Sequence, residues 1–276
     1  MANNTAYPAS ENDQLGTKKA NLAATGVTLF ISDLHLDPSR PTVTRAFLDL
    51  LKGEAAHVDA LYILGDFFES WVGDDDDSPL IAEVSSALQA LSTSGTNCYL
   101  MHGNRDFLIG EQFCQQSGCT LLPDPCTIEL YGKPVLLMHG DSLCTGDESY
   151  MAFRAQARSP QWQQQILAMP LDDRRALAKQ LRESSMDANS NKAEDIMDVS
   201  LPEVVKEMGH AGVDLLIHGH THRPAIHDHH NENQVSDCAN NINLKRIVLG
   251  DWHDTGWLLR YCDNGQYALE EFAINS

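Results

Sequence analysis

The sequence predicts an α/β layered fold interrupted by a helical insertion. Three observations carry this. Apolar strand-like runs alternate with helical patterns from Val27 to about Asp147. Strand signals then vanish over about 147–209. They resume at 213–218 and continue towards the end of the chain.

Residues 1–26 are polar, with Lys18 and Lys19 but no apolar stretch after Met1, and are expected to form a disordered tail rather than a signal peptide. The first strand, 27–32, opens the stretch TLFISDLHLD at 28–37. In an extended segment side chains two apart point the same way, so Asp33 and His35 leave its end side by side. Further strands are expected at 59–64, 97–102, 126–130 and 134–139, with helices at about 42–52, 79–94 and 106–117. A YGK turn at 131–133 joins the last two of these strands as a hairpin. The insertion is helical throughout, with breaks at Pro160, Pro170 and around Ser184–Asn191. Strands return at 213–218, 245–250 and 257–262, and Asn264–Gly265 turns the chain into 267–273. The polar, Asn-rich stretch 228–243 reads as a solvated loop. The domain therefore runs 27–276, interrupted at about 147–209.

At 276 residues, 42% hydrophobic and 21% charged, the chain can bury a full core. A net charge of −20 argues against nucleic acid as a partner and against whole-surface attraction to anionic lipid. An anionic substrate would need a locally positive site, most simply supplied by metal ions. The seven cysteines include no C-x-x-C pair and read as reduced thiols of a cytosolic protein. No apolar run approaches transmembrane length.

Ligand-type residues sit at or just past the predicted strand ends. Asp33 and His35 follow the first strand, Asp66 the second (LGDFFES), and Asn104 the third (MHGNRDF). His139 follows the fifth (MHGD), and His220 and His222 the sixth (HGHTHRP). In an α/β sheet those ends converge on one crevice. Mixed imidazole, carboxylate and amide donors suit divalent cations of intermediate hardness. Asp33, His35 and His222 can hold one ion, and Asn104, His139 and His220 another, with Asp66 bridging. A water acidified by both ions would be the nucleophile, and the same ions would stabilise an in-line displacement at phosphorus. His218 overlaps the HGHTH pairs, but it falls on the strand while His220 and His222 lie in the turn, which favours the latter pair. His57, His210, His227, His229, His230 and His253 are assigned no metal role, and Asp74–Asp77 read as a solvated loop.

These blocks, D-x-H, GD, GN-x-D, HGD and GHTH in order, resemble those of the calcineurin-like metallophosphoesterases. That resemblance implies a layered αββα sandwich with a helical lid. One departure is that Gly103-Asn104-Arg105-Asp106 replaces the common Gly-Asn-His-Asp/Glu, so the usual histidine general acid is an arginine here. Arg105 can instead clamp phosphate oxygens bidentately.

GNRDF, YILGDFFESWVGDDD, MHGDSLCTGDESYMAFR, SSMDANSNKAEDIMDV and IHGHTHRPAIH are further similar to the UDP-2,3-diacylglucosamine pyrophosphohydrolase family of lipid A synthesis. The resemblance covers about 28–262. It implies hydrolysis of UDP-2,3-diacylglucosamine to UMP and 2,3-diacylglucosamine 1-phosphate, by a metal-bridging hydroxide at the uridine-side phosphorus, with two Mn²⁺ ions. It also implies peripheral attachment to the cytoplasmic face of the inner membrane. Carried over by motif, the metal ligands are Asp33, His35, Asp66, Asn104, His139, His220 and His222. Asp66, Asn104, Arg105 and His139 would be catalytic. Asn104, Arg105, Asp147, Ser185, Asn189, Lys192 and His220 would touch substrate. Residues 150–192 hold seven basic side chains against four acidic ones, which suits a lid whose apolar face covers acyl chains and whose polar face meets phosphate or anionic lipid. Charge counts alone favour an ordinary solvated helical subdomain, and the motifs reverse that preference. Two other readings compete: a phosphoesterase for a soluble nucleotide phosphodiester, and a non-catalytic scaffold, which the intact ligand set opposes.

Overall fold

The structure, a computed structural model, describes residues 25–190, 198–230 and 243–274, without the side chains of 186–190, 230 and 243. Two sheets lie face to face between layers of helices, as the expected sandwich requires. The first half of the chain gives β1 (Val27–Ile31), α1 (Pro41–Lys52), β2 (Ala60–Leu64), α2 (Pro79–Thr93), β3 (Asn97–Met101), α3 (Glu111–Ser117) and β4 (Cys119–Leu122). The second sheet begins with β5 (Cys126–Leu130) and β6 (Lys133–Met138). Helices α4 (Glu148–Ala157), α5 (Pro160–Leu167), α6 (Leu171–Ser190) and α7 (Leu201–Ala211) follow. The chain closes with β7 (Leu215–His218), β8 (Ala225–His230), β9 (Asn243–Val248), β10 (Thr255–Cys262) and β11 (Tyr267–Ala273).

The six-stranded sheet runs β11-β10-β1-β2-β3-β4, with β1 to β4 parallel, and the five-stranded sheet runs β5-β6-β7-β9-β8. Period-two alternation assigns each side chain of β1 and β2 to a layer. Leu29, Ile31, Leu61 and Ile63 face helices α1 to α3, where Phe47 and Phe113 fill the first core. Phe30, Tyr62 and Leu64 face the other sheet and meet Val135, Ile217 and Ile247. Helix α1 starts at Pro41, which loses no hydrogen bond there, and buries Val43, Phe47 and Leu51, four apart on one face. Helix α7 buries Val204 and Met208 against Leu136 and Leu216. Thus the last part of the expected insertion belongs to the outer helical layer, and α4–α6 form the part beside the strand ends.

Several boundaries differ from expectation. The helix expected over 106–117 begins only at Glu111. The Asp106 carboxylate accepts from the Gly103 and Phe67 N–H groups, both at 2.7 Å, and its carbonyl takes the Ile109 N–H at 3.0 Å, closing a turn. Strand β4, unannounced by any long apolar run, pairs in parallel with β3. Helix α6 continues through the break expected at Ser184 as far as Ser190. His227 to His230 pair with β9, so 228–230 are strand rather than loop, while 231–242 lie outside the described residues. Of the expected tail, 1–24 also lie outside them, and Thr25 and Gly26 hydrogen-bond to Asp263.

Candidate metal centre

All seven sequence-identified ligand candidates come together where β1, β2, β3, β6 and β7 end. Asp33, His35 and His222 form one group that could hold an ion, and Asp66, His139 and His220 a second, with donor atoms of each group within 4.8 Å of one another. Asp66 faces both groups. Its Oδ2 lies 3.7 Å from His35 Nε2 and its Oδ1 3.7 Å from His139 Nε2. Asn104 adds Oδ1, 3.0 Å from His139 Nε2.

The backbone is bent to achieve this. Asp33, His35, Asp66, His220 and His222 have φ of 55°, 48°, 48°, 69° and 54°, in the left-handed region that ordinary side chains avoid. Such strain persists where the surroundings over-determine it. Here the β1 and β2 exits hold each other. Asp33 N–H donates to the Gly65 carbonyl at 3.1 Å, and His35 N–H to that of Asp66 at 2.9 Å. Close approach demands glycine at two points. A Cβ on Gly65, whose φ is +87°, would meet His139 Nδ1 at 2.5 Å, and one on Gly103 would meet Asp66 N at 2.1 Å.

The donor set fits divalent cations. Asp33 Oδ2 accepts from Ser32 Oγ at 2.6 Å and the His220 N–H at 2.9 Å, while buried Oδ1 has no hydrogen-bond partner. His139 Nδ1–H donates to the Leu64 carbonyl at 2.9 Å, which turns Nε2 towards the Asn104 oxygen. The Nε2–H and the Asn104 oxygen make a hydrogen bond at 3.0 Å whose proton a metal ion would replace. His35 Nε2 and His222 Nε2 face each other likewise at 3.4 Å. The nitrogen and oxygen mixture suits manganese or zinc better than calcium.

Electrostatics agree. Burial raises the Asp33 carboxyl, but His222, His139 and His35 outweigh it and hold the group well below the usual carboxylate range. Burial would lower His139, yet Asp66, Asp33 and Asp141 raise it to about 9, so metal binding there must displace a proton. Burial and His139 lower His220 to about 4, keeping its imidazole neutral and ready to ligate.

Beside the two groups lies a cavity of about 530 Å³. Arg105 lines it, with a buried Nε that has no hydrogen-bond partner, and the Arg105 backbone N–H donates to Asp66 Oδ1 at 2.8 Å. The opposite wall is apolar: Phe107, Phe153, Trp162, Ile166, Leu177 and Leu181, largely from α4–α6. Asn104, Asp147, Ser185 and His220 also line it. Asp147 additionally caps α4, accepting from the Tyr150 N–H at 3.1 Å. The Asn189 side chain and Lys192 lie outside what is described. His218 joins neither group. It is buried, Nδ1 lying 2.8 Å from the Gly219 carbonyl and Nε2 3.2 Å from Arg246.

The Asp74–Asp77 run is not a freely solvated loop. Asp74 accepts from the Gly110 and Phe113 N–H groups at 2.8 and 3.0 Å, capping α3. Asp75 pairs with Arg174, and Asp76 and Asp77 each accept from Arg175 at 2.6 Å. Arg174 also donates to the Val72 carbonyl at 2.6 Å. The run clasps α6 over the cavity. Sequence reasoning also missed Asp251, whose Oδ2 lies 3.7 Å from His222 Nδ1. Its signal was available: Gly250–Asp251 follows β9 as Gly65–Asp66 follows β2. Asp141 was read only as part of HGD, yet it is buried and bonded to Tyr150 and to Arg154 Nε, the latter at 2.7 Å.

Residues 27–224 match the calcineurin-like phosphoesterase family. The chain belongs to the calcineurin-like phosphoesterases. Among curated relatives of this phosphoesterase, a UDP-2,3-diacylglucosamine hydrolase of Cellvibrio japonicus is 56% identical over 232 residues, covering 84% of this chain and 93% of the relative. The proteins of that name from Marinobacter nauticus and Chromohalobacter salexigens are 55% and 54% identical, covering 88% and 90% of this chain and 96% and 98% of their own. This phosphoesterase is a hydrolase of their family.

Proposed function

We propose that the chain hydrolyses the diphosphate of UDP-2,3-diacylglucosamine to UMP and 2,3-diacylglucosamine 1-phosphate, in lipid A synthesis. The observation that carries the reading is the pairing of two metal-ready groups sharing Asp66 with an apolar-walled cavity roofed by α4–α6. The substrate in the relatives' names supports it. Asp33, His35 and His222 would hold one Mn²⁺, and Asn104, His139 and His220 the other, with Asp66 shared. When bound, the two ions supply an acidified water and offset charge on the phosphoryl oxygens, which suits displacement at the uridine-side phosphorus.

The chain's own residues do the rest. Arg105, which lines the cavity, binds phosphate oxygens through its guanidinium and offsets charge that develops during displacement. Asn104, His220, Asp147 and Ser185, which line the cavity, contact the substrate, joined by Asn189 and Lys192 as the family resemblance implies. Phe153, Trp162, Ile166 and Leu181 receive acyl chains and exclude water from the cavity. Among the described residues no helix is long and apolar enough to cross a membrane. The protein would meet its lipid substrate peripherally, at the cytoplasmic face of the inner membrane, with Leu167 exposed at the tip of α5.

Turnover of UDP-2,3-diacylglucosamine by the purified protein with Mn²⁺, read as UMP release, tests the proposal. Activity confined to a soluble aryl phosphodiester would overturn the substrate assignment. In ¹⁸O-water the label is expected in UMP; label in the lipid phosphate would contradict attack at the uridine side.

A further inference from the structure

We propose that Glu69 is a positioning residue that fixes His35 and ties it to the roof helix α6; this rests on the metal reading above. After β2 the chain stays alongside the β1 exit. Leu36 N–H donates to the Phe67 carbonyl at 2.9 Å, and Glu69 N–H to that of Leu36 at 3.1 Å. This register brings Glu69 Oε2 to 3.1 Å from His35 Nδ1, the ring nitrogen pointing away from the metal group. That nitrogen is buried and has no hydrogen-bond partner, so the carboxylate 3.1 Å away is the group placed to take its proton. A carboxylate there selects the tautomer whose Nε2 carries the lone pair, and makes that nitrogen more basic. The other Glu69 oxygen pairs with Arg182 of α6. One carboxylate thus spans from a ligand of the first ion to the helix that covers the substrate cavity. In the second group the rear nitrogen of His139 is instead held by the Leu64 carbonyl.

Mn²⁺ titration of the whole protein without substrate, by calorimetry and by electron paramagnetic resonance of free Mn²⁺, tests this. Wild type is expected to bind two ions. Glu69→Ala should weaken one of them about 10–100-fold and leave the other unchanged. Glu69→Gln, which keeps an acceptor, should recover part of the loss. Arg182→Ala should weaken the same ion in the wild-type background and have no further effect beside Glu69→Ala. Two wild-type affinities in Glu69→Ala, or equal losses at both ions, would overturn the proposal while leaving the metal reading intact. A wild-type protein that binds no Mn²⁺ would overturn both. If Glu69→Ala does not fold, Arg182→Ala decides alone, and unchanged affinity overturns the link.

Discussion

Five of the six non-glycine residues with positive φ among the described residues are candidate metal ligands. At roughly 1–2 kcal/mol each, the left-handed conformations are a standing cost, offset in part by the backbone hydrogen bonds between the strand exits and by the Asp33 side chain on the His220 N–H. Gly103→Ala drives a Cβ into the Asp66 backbone and is expected to cost about 1–3 kcal/mol in urea denaturation, with loss of Mn²⁺ binding. Asp66→Ala should abolish UMP release, since one carboxylate serves both groups. Arg105→Ala should lower kcat roughly 10²–10³-fold, with a smaller change in KM. His218 gives a pH signature. Burial and Arg246 lower it to about 3, against about 6.5 in the unfolded chain. Between those values the unfolded chain holds the extra proton, so stability falls as pH drops below about 6.5. The melting temperature in chelator should therefore decline from pH 7 to 5, and His218→Gln should flatten the decline. At this scale the ligand residues were legible in the sequence, because D-x-H, GD and GHTH stand at strand ends. The left-handed backbone that aims them was not, since Asp and His carry no glycine-like marker for it.

Helix α6 lines the cavity and is clasped there by the aspartate run. Arg174 is buried and satisfies the Val72 and Met169 carbonyls as well as Asp75. Charge-assisted bonds of this kind contribute about 1.5–3 kcal/mol. Arg174→Ala should speed amide hydrogen exchange in α6 at least about tenfold, leave β1 and β2 unchanged, and raise KM for the acylated substrate more than for an aryl phosphodiester. Loss of protection in the central strands as well would show that the clasp supports the whole fold. The aspartate run could not be read this way from sequence, for its arginines lie nearly a hundred residues away. Nor could the continuity of α6. Ser, Asn and Asp are weak helix formers, but extending an existing helix needs no new nucleus. Strand β8 escaped notice because AIHDHH lacks the alternation of a half-buried strand, and its pairing with β9 defines it.

The whole molecule is acidic, at −20, yet the candidate centre gathers four histidines around two buried aspartates. Cations that bind there and not to the unfolded chain add stability by mass action, about 2.7 kcal/mol at one hundred times Kd. Melting curves should therefore rise stepwise with Mn²⁺ and fall back with chelator; an unchanged midpoint would argue against a native-state site. The layered architecture was legible from the alternation of strands and helices. The return of β10 and β11 to the first sheet was not, because strand signals name no neighbour. That return has a consequence for biogenesis. Val27 pairs with Cys262 and Phe30 with Leu259, so β1 acquires one of its two flanking partners only when synthesis has passed residues 259–262. Until then Leu29, Phe30 and Ile31 have an open edge, a segment that invites chaperones on the ribosome. Metal loading would follow translation rather than accompany it, and nascent chains arrested before residue 259 should capture no Mn²⁺ when it is supplied as the probe.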